Sequence, residues 1–206
     1  MEKHATKLNI LGIWHLATSA EKLAGAKWYA TAHTEACRLA QTYNVPLVVS
    51  VGVIAALSPN NRWSRNLADA ENLIAGFMQG DDVTNVKVCT YHAMRQKAWN
   101  ILKLGHAAIY NEVVSLLRGR KITSFFENIM GEDGWGAGEA RCTIDGHARN
   151  IAYGERLTLT GGKFTIGKRE YSTLQELYRE AAAEVGVPAY VMQAVTWVTW
   201  RRMHNI

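Results

Sequence analysis

Hydrophobic and polar positions alternate with helical spacing over most of this chain. Residues 28–43 are alanine-rich with apolar positions one turn apart, and Asn44-Val45-Pro46 stops the run. Residues 47–57 are apolar nearly all round. That pattern predicts a fully buried central helix, with a buried strand as the alternative. Ser58-Pro59-Asn60-Asn61 breaks it. Amphipathic helices are predicted over 63–78 and 91–104, and shorter helices over 111–117, 122–130 and 146–153. A glycine-rich loop, 131–140, separates the last two. Residues 157–171 read differently. There Gly161-Gly162 sits between two β-prone runs, a hairpin signal. Helices over 172–185, with Ser172 as its N-cap, and 190–203 complete the pattern around Gly186-Val187-Pro188. The expectation is one mostly α-helical domain, 1–206, decorated by a small β-hairpin near 157–171.

Composition narrows the class. The chain has 206 residues and 48% hydrophobic residues, enough for a packed core. Lys and Arg number 23 against 18 Asp and Glu, a formal charge of +5 that weakly favours a polyanionic partner. Cys37, Cys89 and Cys142 are too few for a disulfide framework or a cysteine metal site. The longest apolar run, Val45 to Leu57, is too short to span a bilayer. A cytoplasmic protein without membrane, metal or cofactor is expected. Oligomeric state is not legible.

Candidate chemistry centres on Lys121, after Gly119-Arg120, and on Asp145 in Thr143-Ile144-Asp145-Gly146-His147-Ala148. Each stands at the start of a predicted helix, so both could face one cleft. An amine and a carboxylate there could do nucleophilic or acid–base work. Each has a plainer reading. Asp145 could cap a helix. Lys121 could contact a phosphate or stand in solvent beside Arg118 and Arg120. His147 could be a second catalytic group or a polar core residue. Asn60 and Asn61 could read a base edge or simply form a turn. Trp63 could be core or cleft wall. Trp197, Trp200, Arg201 and Arg202 form an aromatic–basic cluster that could pack the terminal helix or offer a stacking and phosphate surface.

The order of these signals resembles the helix-hairpin-helix DNA glycosylase superfamily. Ala56-Leu57-Ser58-Pro59-Asn60-Asn61-Arg62-Trp63 is similar to its "LSxQxT" turn. The stretch from Tyr91 to Leu102 resembles the segment reading "G-x-y-x-x-K-A-x-x-I". Leu117-Arg118-Gly119-Arg120-Lys121 sits where "L-P-G-V-G-x-K" belongs, and Thr143 to Ile151 is similar to "V-D-T-H-V-x-R-V". The likeness covers about Val45 to Tyr153. It departs from the family in a shortened hairpin, a longer loop before Asp145, Gly146 in place of Thr, and no four-cysteine iron–sulfur motif. The segments "ALSPNN-x-W" and Gln193 to Arg202 also resemble a family of phage-encoded proteins of unassigned function.

The resemblance implies a two-lobed helical fold with the cleft between lobes, and DNA, duplex or single-stranded, as partner. It implies base flipping and cleavage of the N-glycosidic bond. Asp145 would stabilise positive charge on the sugar, and Lys121 would attack C1′ in a strand-nicking member. Asn60 would lie near the flipped nucleotide. Backbone N–H groups of the Arg118-Gly119-Arg120 turn would hold a phosphate. Two other readings stand beside it. One is a transferase that hypermodifies a thymine derivative on the same fold. The other is a non-catalytic DNA- or protein-binding module.

Overall fold

The computed structural model describes residues 4–131, 141–157 and 165–206. Through them run α1 (Lys7–His15), α2 (Ser19–Ala26), α3 (Trp28–Tyr43), α4 (Leu47–Leu57), α5 (Trp63–Gln79) and α6 (His92–Leu102). A 3₁₀ turn, Gly105–Ala107, precedes α7 (Tyr110–Leu117), α8 (Arg120–Met130), α9 (Gly146–Tyr153), α10 (Lys168–Val185) and α11 (Ala189–His204). The chain is mostly α, and no strand occurs among the described residues. No single helix among them is long and apolar enough to cross a membrane.

Two compact units divide the chain: Met1–Tyr29 with Ala137–Ile206, and Ala30–Gly136. The first contains α1, α2, α9, α10 and α11. Its core draws on Ile10 and Trp14 of α1, Ile151 of α9, Leu174 and Tyr178 of α10, and Met192 and Val195 of α11. Helix α2 starts with a reciprocal cap. The Thr18 hydroxyl accepts from Glu21 N at 3.2 Å, and the Glu21 carboxylate accepts from Thr18 N at 2.8 Å. It then lies tightly on α11, because at Gly25 a Cβ would stand 2.5 Å from Val195 Cα.

The second unit is built around α4. Every residue from Val49 to Leu57 is buried, which is why its sequence carries no polar face. Helices α5, α6, α7 and α8 all pack on it. Gly52 lets α6 and α7 approach closely, since a Cβ there would meet Val113 and Ile101 side chains. Within this unit α4 also receives α3, through Ser50 Oγ donating to Ala36 O at 2.8 Å. The buried-strand alternative for 47–57 is thereby excluded.

Two expectations need correction. Helix α10 starts at Lys168, with Gly167 as N-cap, so residues 168–171 belong to a helix and not to a hairpin. Ser172 is no cap; its hydroxyl donates back to Lys168 O at 3.2 Å. Tertiary contacts extend the helix. Glu170 takes hydrogen bonds from Arg149 Nε (2.6 Å) and Tyr153 OH (3.2 Å), and Tyr171 is buried. Residues 165–167 form no strand. The rest of the expected hairpin, 158–164, lies outside the described residues.

Candidate functional site

Asp145 is the N-cap of α9, in extended backbone with φ −103° and ψ −174°. Its Oδ1 accepts from Ala148 N at 2.8 Å, as a capping carboxylate should. Its Oδ2 accepts from Trp197 Nε1 on α11 at 3.2 Å, which capping does not require. The segment leading to it is fixed from three directions. Gln175 Nε2 donates to Cys142 O at 2.8 Å, and Ile144 N donates to Tyr171 OH at 3.2 Å. Tyr29 OH is hydrogen-bonded to Thr143 Oγ1 at 3.1 Å and to Gln193 Oε1 at 3.0 Å. Beyond the cap, Tyr178 OH donates to Ala148 O at 3.2 Å. A half-buried carboxylate is thus held by α9 and α11, while α3, α10 and α11 pin the 142–144 segment that leads to it.

The Trp197 ring has further partners of its own. Trp28 meets Trp197 edge-on at 6.2 Å, and the Arg201 guanidinium lies 4.6 Å from the Trp197 ring centroid. The buried groups nearby carry no charge. Burial pushes the Cys142 thiol up to about 12 and drives the Tyr178 phenol well above its ordinary range. Cys142 is therefore packing, not a nucleophile.

His147 sits half-buried in the first turn of α9, with Nδ1 buried and without a hydrogen-bond partner. The His204 imidazole packs against the buried Trp200 ring at 4.1 Å. Burial, then Arg156 and His147, hold His204 below the ordinary histidine range. The terminal aromatic–basic cluster therefore divides. Trp200 is core, Trp197 and Arg201 belong with Asp145, and Arg202 is committed to Glu21, Nε to Oε1 at 2.5 Å.

The other sequence candidates lie in the second unit. Asn60 is exposed in the turn after α4, with φ 54°. Asn61 is tied down: its Nδ2 donates to Leu57 O at 3.2 Å and to Asp69 Oδ2 at 2.9 Å. Trp63, the first residue of α5, packs edge-on against Phe125 of α8 at 6.5 Å. Arg118 and Gly119 alone connect α7 to α8, at φ 43° and 99°. Arg120 and Lys121 occupy the first turn of α8. The turn is clamped by Lys97, whose Nζ donates to Leu117 O and, at 3.5 Å, to Arg118 O. Burial, then the charge of Arg118, lowers the Lys97 ammonium from its ordinary value.

The structure thus gathers Asp145, Trp197 and Arg201 in one unit. It gathers Asn61, Trp63 and the 118–121 turn in the other, so Lys121 and Asp145 fall in different units. Sequence reasoning missed Tyr29, Gln193, Tyr171, Gln175 and Lys97. All five come to their places from distant stretches of chain, and only Lys97 and Gln193 lie within segments that the sequence singles out. Among the described residues, no three His, Cys, Asp or Glu side chains cluster closely enough to hold a metal ion.

A family model matches residues 1–204, and the chain belongs to that family, described as a family of unknown function (DUF7178). No curated protein matches the chain, and no solved structure does.

Proposed function

We propose that this protein acts on a base in DNA, by glycosylase-like cleavage of the N-glycosidic bond, with Asp145 as the group that faces the reacting sugar. One observation supports this above the rest. The Asp145 carboxylate is held by more than its cap: Trp197 Nε1 and the pinned 142–145 segment orient it, beside aromatic rings and Arg201. A cap alone needs none of that. Base departure builds positive charge on the sugar, and a fixed, ionised carboxylate stabilises it without reorganising. Chemistry at a base in duplex DNA needs the base out of the stack, and aromatic faces such as Trp28 and Trp197 suit an extruded base.

In this reading Arg118, Gly119 and Arg120 grip a phosphate at the start of α8, and exposed Asn60 contacts the flipped nucleotide or its orphaned partner. Lys121 supplies the amine if the strand is also nicked. A Schiff base at C1′ could then be trapped by borohydride, and Lys121→Gln would abolish the trapped adduct.

Mass spectrometry of bases and nucleosides from DNA incubated with the protein tests the reading. Free base supports glycosidic cleavage. A nucleoside of added mass would replace it with group transfer, and unchanged DNA would replace it with a binding role.

A further inference from the structure

The seam between α4 and α5 carries more buried oxygen than its hydrogen-bond donors satisfy. Asn66 and Asp69 lie one turn apart on the same face of α5 and are only 2% and 4% exposed. Asn66 Nδ2 donates to Ile54 O at 3.1 Å. One turn further along α4, Leu57 O accepts from Asn61 Nδ2, which also donates to Asp69 Oδ2. Cys89 N is a second donor to Asp69 Oδ2, at 2.8 Å. These donors settle which way both amides face, because each Nδ2 already points at a carbonyl or carboxylate. The amide oxygens are therefore the atoms left over, and both Asn61 Oδ1 and Asn66 Oδ1 are buried without a hydrogen-bond partner. Among the described residues, no salt bridge involves Asp69. The carbonyl end of α4 adds further negative potential.

We infer that this seam binds a monovalent alkali cation on the Asp69 carboxylate and the amide oxygens of Asn61 and Asn66. The donor set is all oxygen, which suits hard cations and not thiophilic or imidazole-seeking metals. The charge count selects among hard cations. One carboxylate with two neutral amides holds too little negative charge for a divalent ion, the more so with the Arg65 guanidinium one turn earlier on α5, where it donates to Cys89 Sγ at 3.4 Å. The site braces the turn that presents Asn60, since Asn61 is a shared member and Thr90 Oγ1 donates to Pro59 O at 2.6 Å beside it. It stands independently of the proposed activity on DNA.

The test compares thermal unfolding of the full chain in sodium, potassium and choline chloride at equal ionic strength. With the ion about tenfold above its dissociation constant, the midpoint should be about 3–6 °C higher in sodium or potassium than in choline. Asp69→Asn keeps a carbonyl acceptor for both of its donors but removes the charge, and should show one midpoint in all three salts. Equal midpoints for the wild type in all three salts would overturn the site. So would an ion-specific difference that persists in Asp69→Asn. Should that variant not fold, wild-type crystals soaked in thallium(I), a potassium stand-in, give the same decision. An anomalous peak between Asp69 and Asn66 is expected, and its absence would overturn the site.

Discussion

Arg118 shows the tension between stability and recognition at a single residue. It is a non-glycine residue at φ 43° and ψ 131°, a conformation in which a side chain is strained by about 1–3 kcal/mol. Arg118→Gly should therefore stabilise the fold by about 1 kcal/mol, read as a higher melting temperature. It should also weaken DNA binding and flatten its salt dependence by about one phosphate contact. A stabilised variant that binds DNA with unchanged salt dependence would remove Arg118 from the phosphate grip. His204 sets a second test. Its folded-state proton affinity is below the ordinary value near 6.5, so the unfolded chain binds the extra proton. Its contribution is fully present above pH 6.5 and is lost as pH falls from there toward the lowered folded value. Melting followed from pH 8 to pH 5 should fall less steeply for His204→Gln than for wild type. At this scale the sequence showed Asp145 but not what orients it. Trp197 reaches Asp145, and Tyr29, Tyr171 and Gln175 reach residues 142–144 before it, only through the packing of α3, α10 and α11, and local spacing does not encode that packing.

At the scale of elements, helix periods were legible wherever the pattern was strong. The expected 28–43 and 47–57 coincide with α3 and α4, and 146–153 with α9. Helices α1 and α2 were not anticipated, although Thr18 and Glu21 have the spacing of a capping box. Both are short, and one face of α2 is glycine and alanine, so hydrophobic periodicity barely marks them. The start of α10 was misplaced because Thr-rich, glycine-flanked sequence favours a hairpin, while burial of Tyr171 and the Glu170–Arg149 pair favour helix. Glycine also had a role that composition conceals. Gly25 faces the backbone of Val195, with 2.5 Å available for a Cβ. Gly25→Ala improves helix propensity yet should destabilise by about 3 kcal/mol, because α2 must move off α11. A calorimetric melting midpoint lowered by roughly 6–12 °C is expected. An unchanged midpoint would mean that the α2–α11 contact is looser than the structure has it.

At the scale of the whole molecule, the +5 charge is an unreliable guide until each cation is placed. Arg202, Arg38 and Arg149 are engaged by Glu21, Glu71 and Glu170. The mostly helical fold was legible in the sequence because 3.6-residue periodicity is strong and repeated. The resemblance alone suggested two lobes, and the place where the two units divide was not legible, since α3 crosses the boundary between Tyr29 and Ala30 without a break. Membership of a family without an assigned activity leaves the chemistry to be read from Asp145 and its surroundings.

The most direct test of that chemistry is base release from DNA by the wild type and by Asp145→Asn, measured by mass spectrometry alongside thermal unfolding. Asn caps a helix about as well as Asp, so stability should change by no more than about 1 kcal/mol. The carboxylate charge is lost, and the rate should fall by about 10²–10³-fold while DNA affinity is kept. Full activity in a stable Asp145→Asn protein would reduce Asp145 to a helix cap and contradict the proposed site.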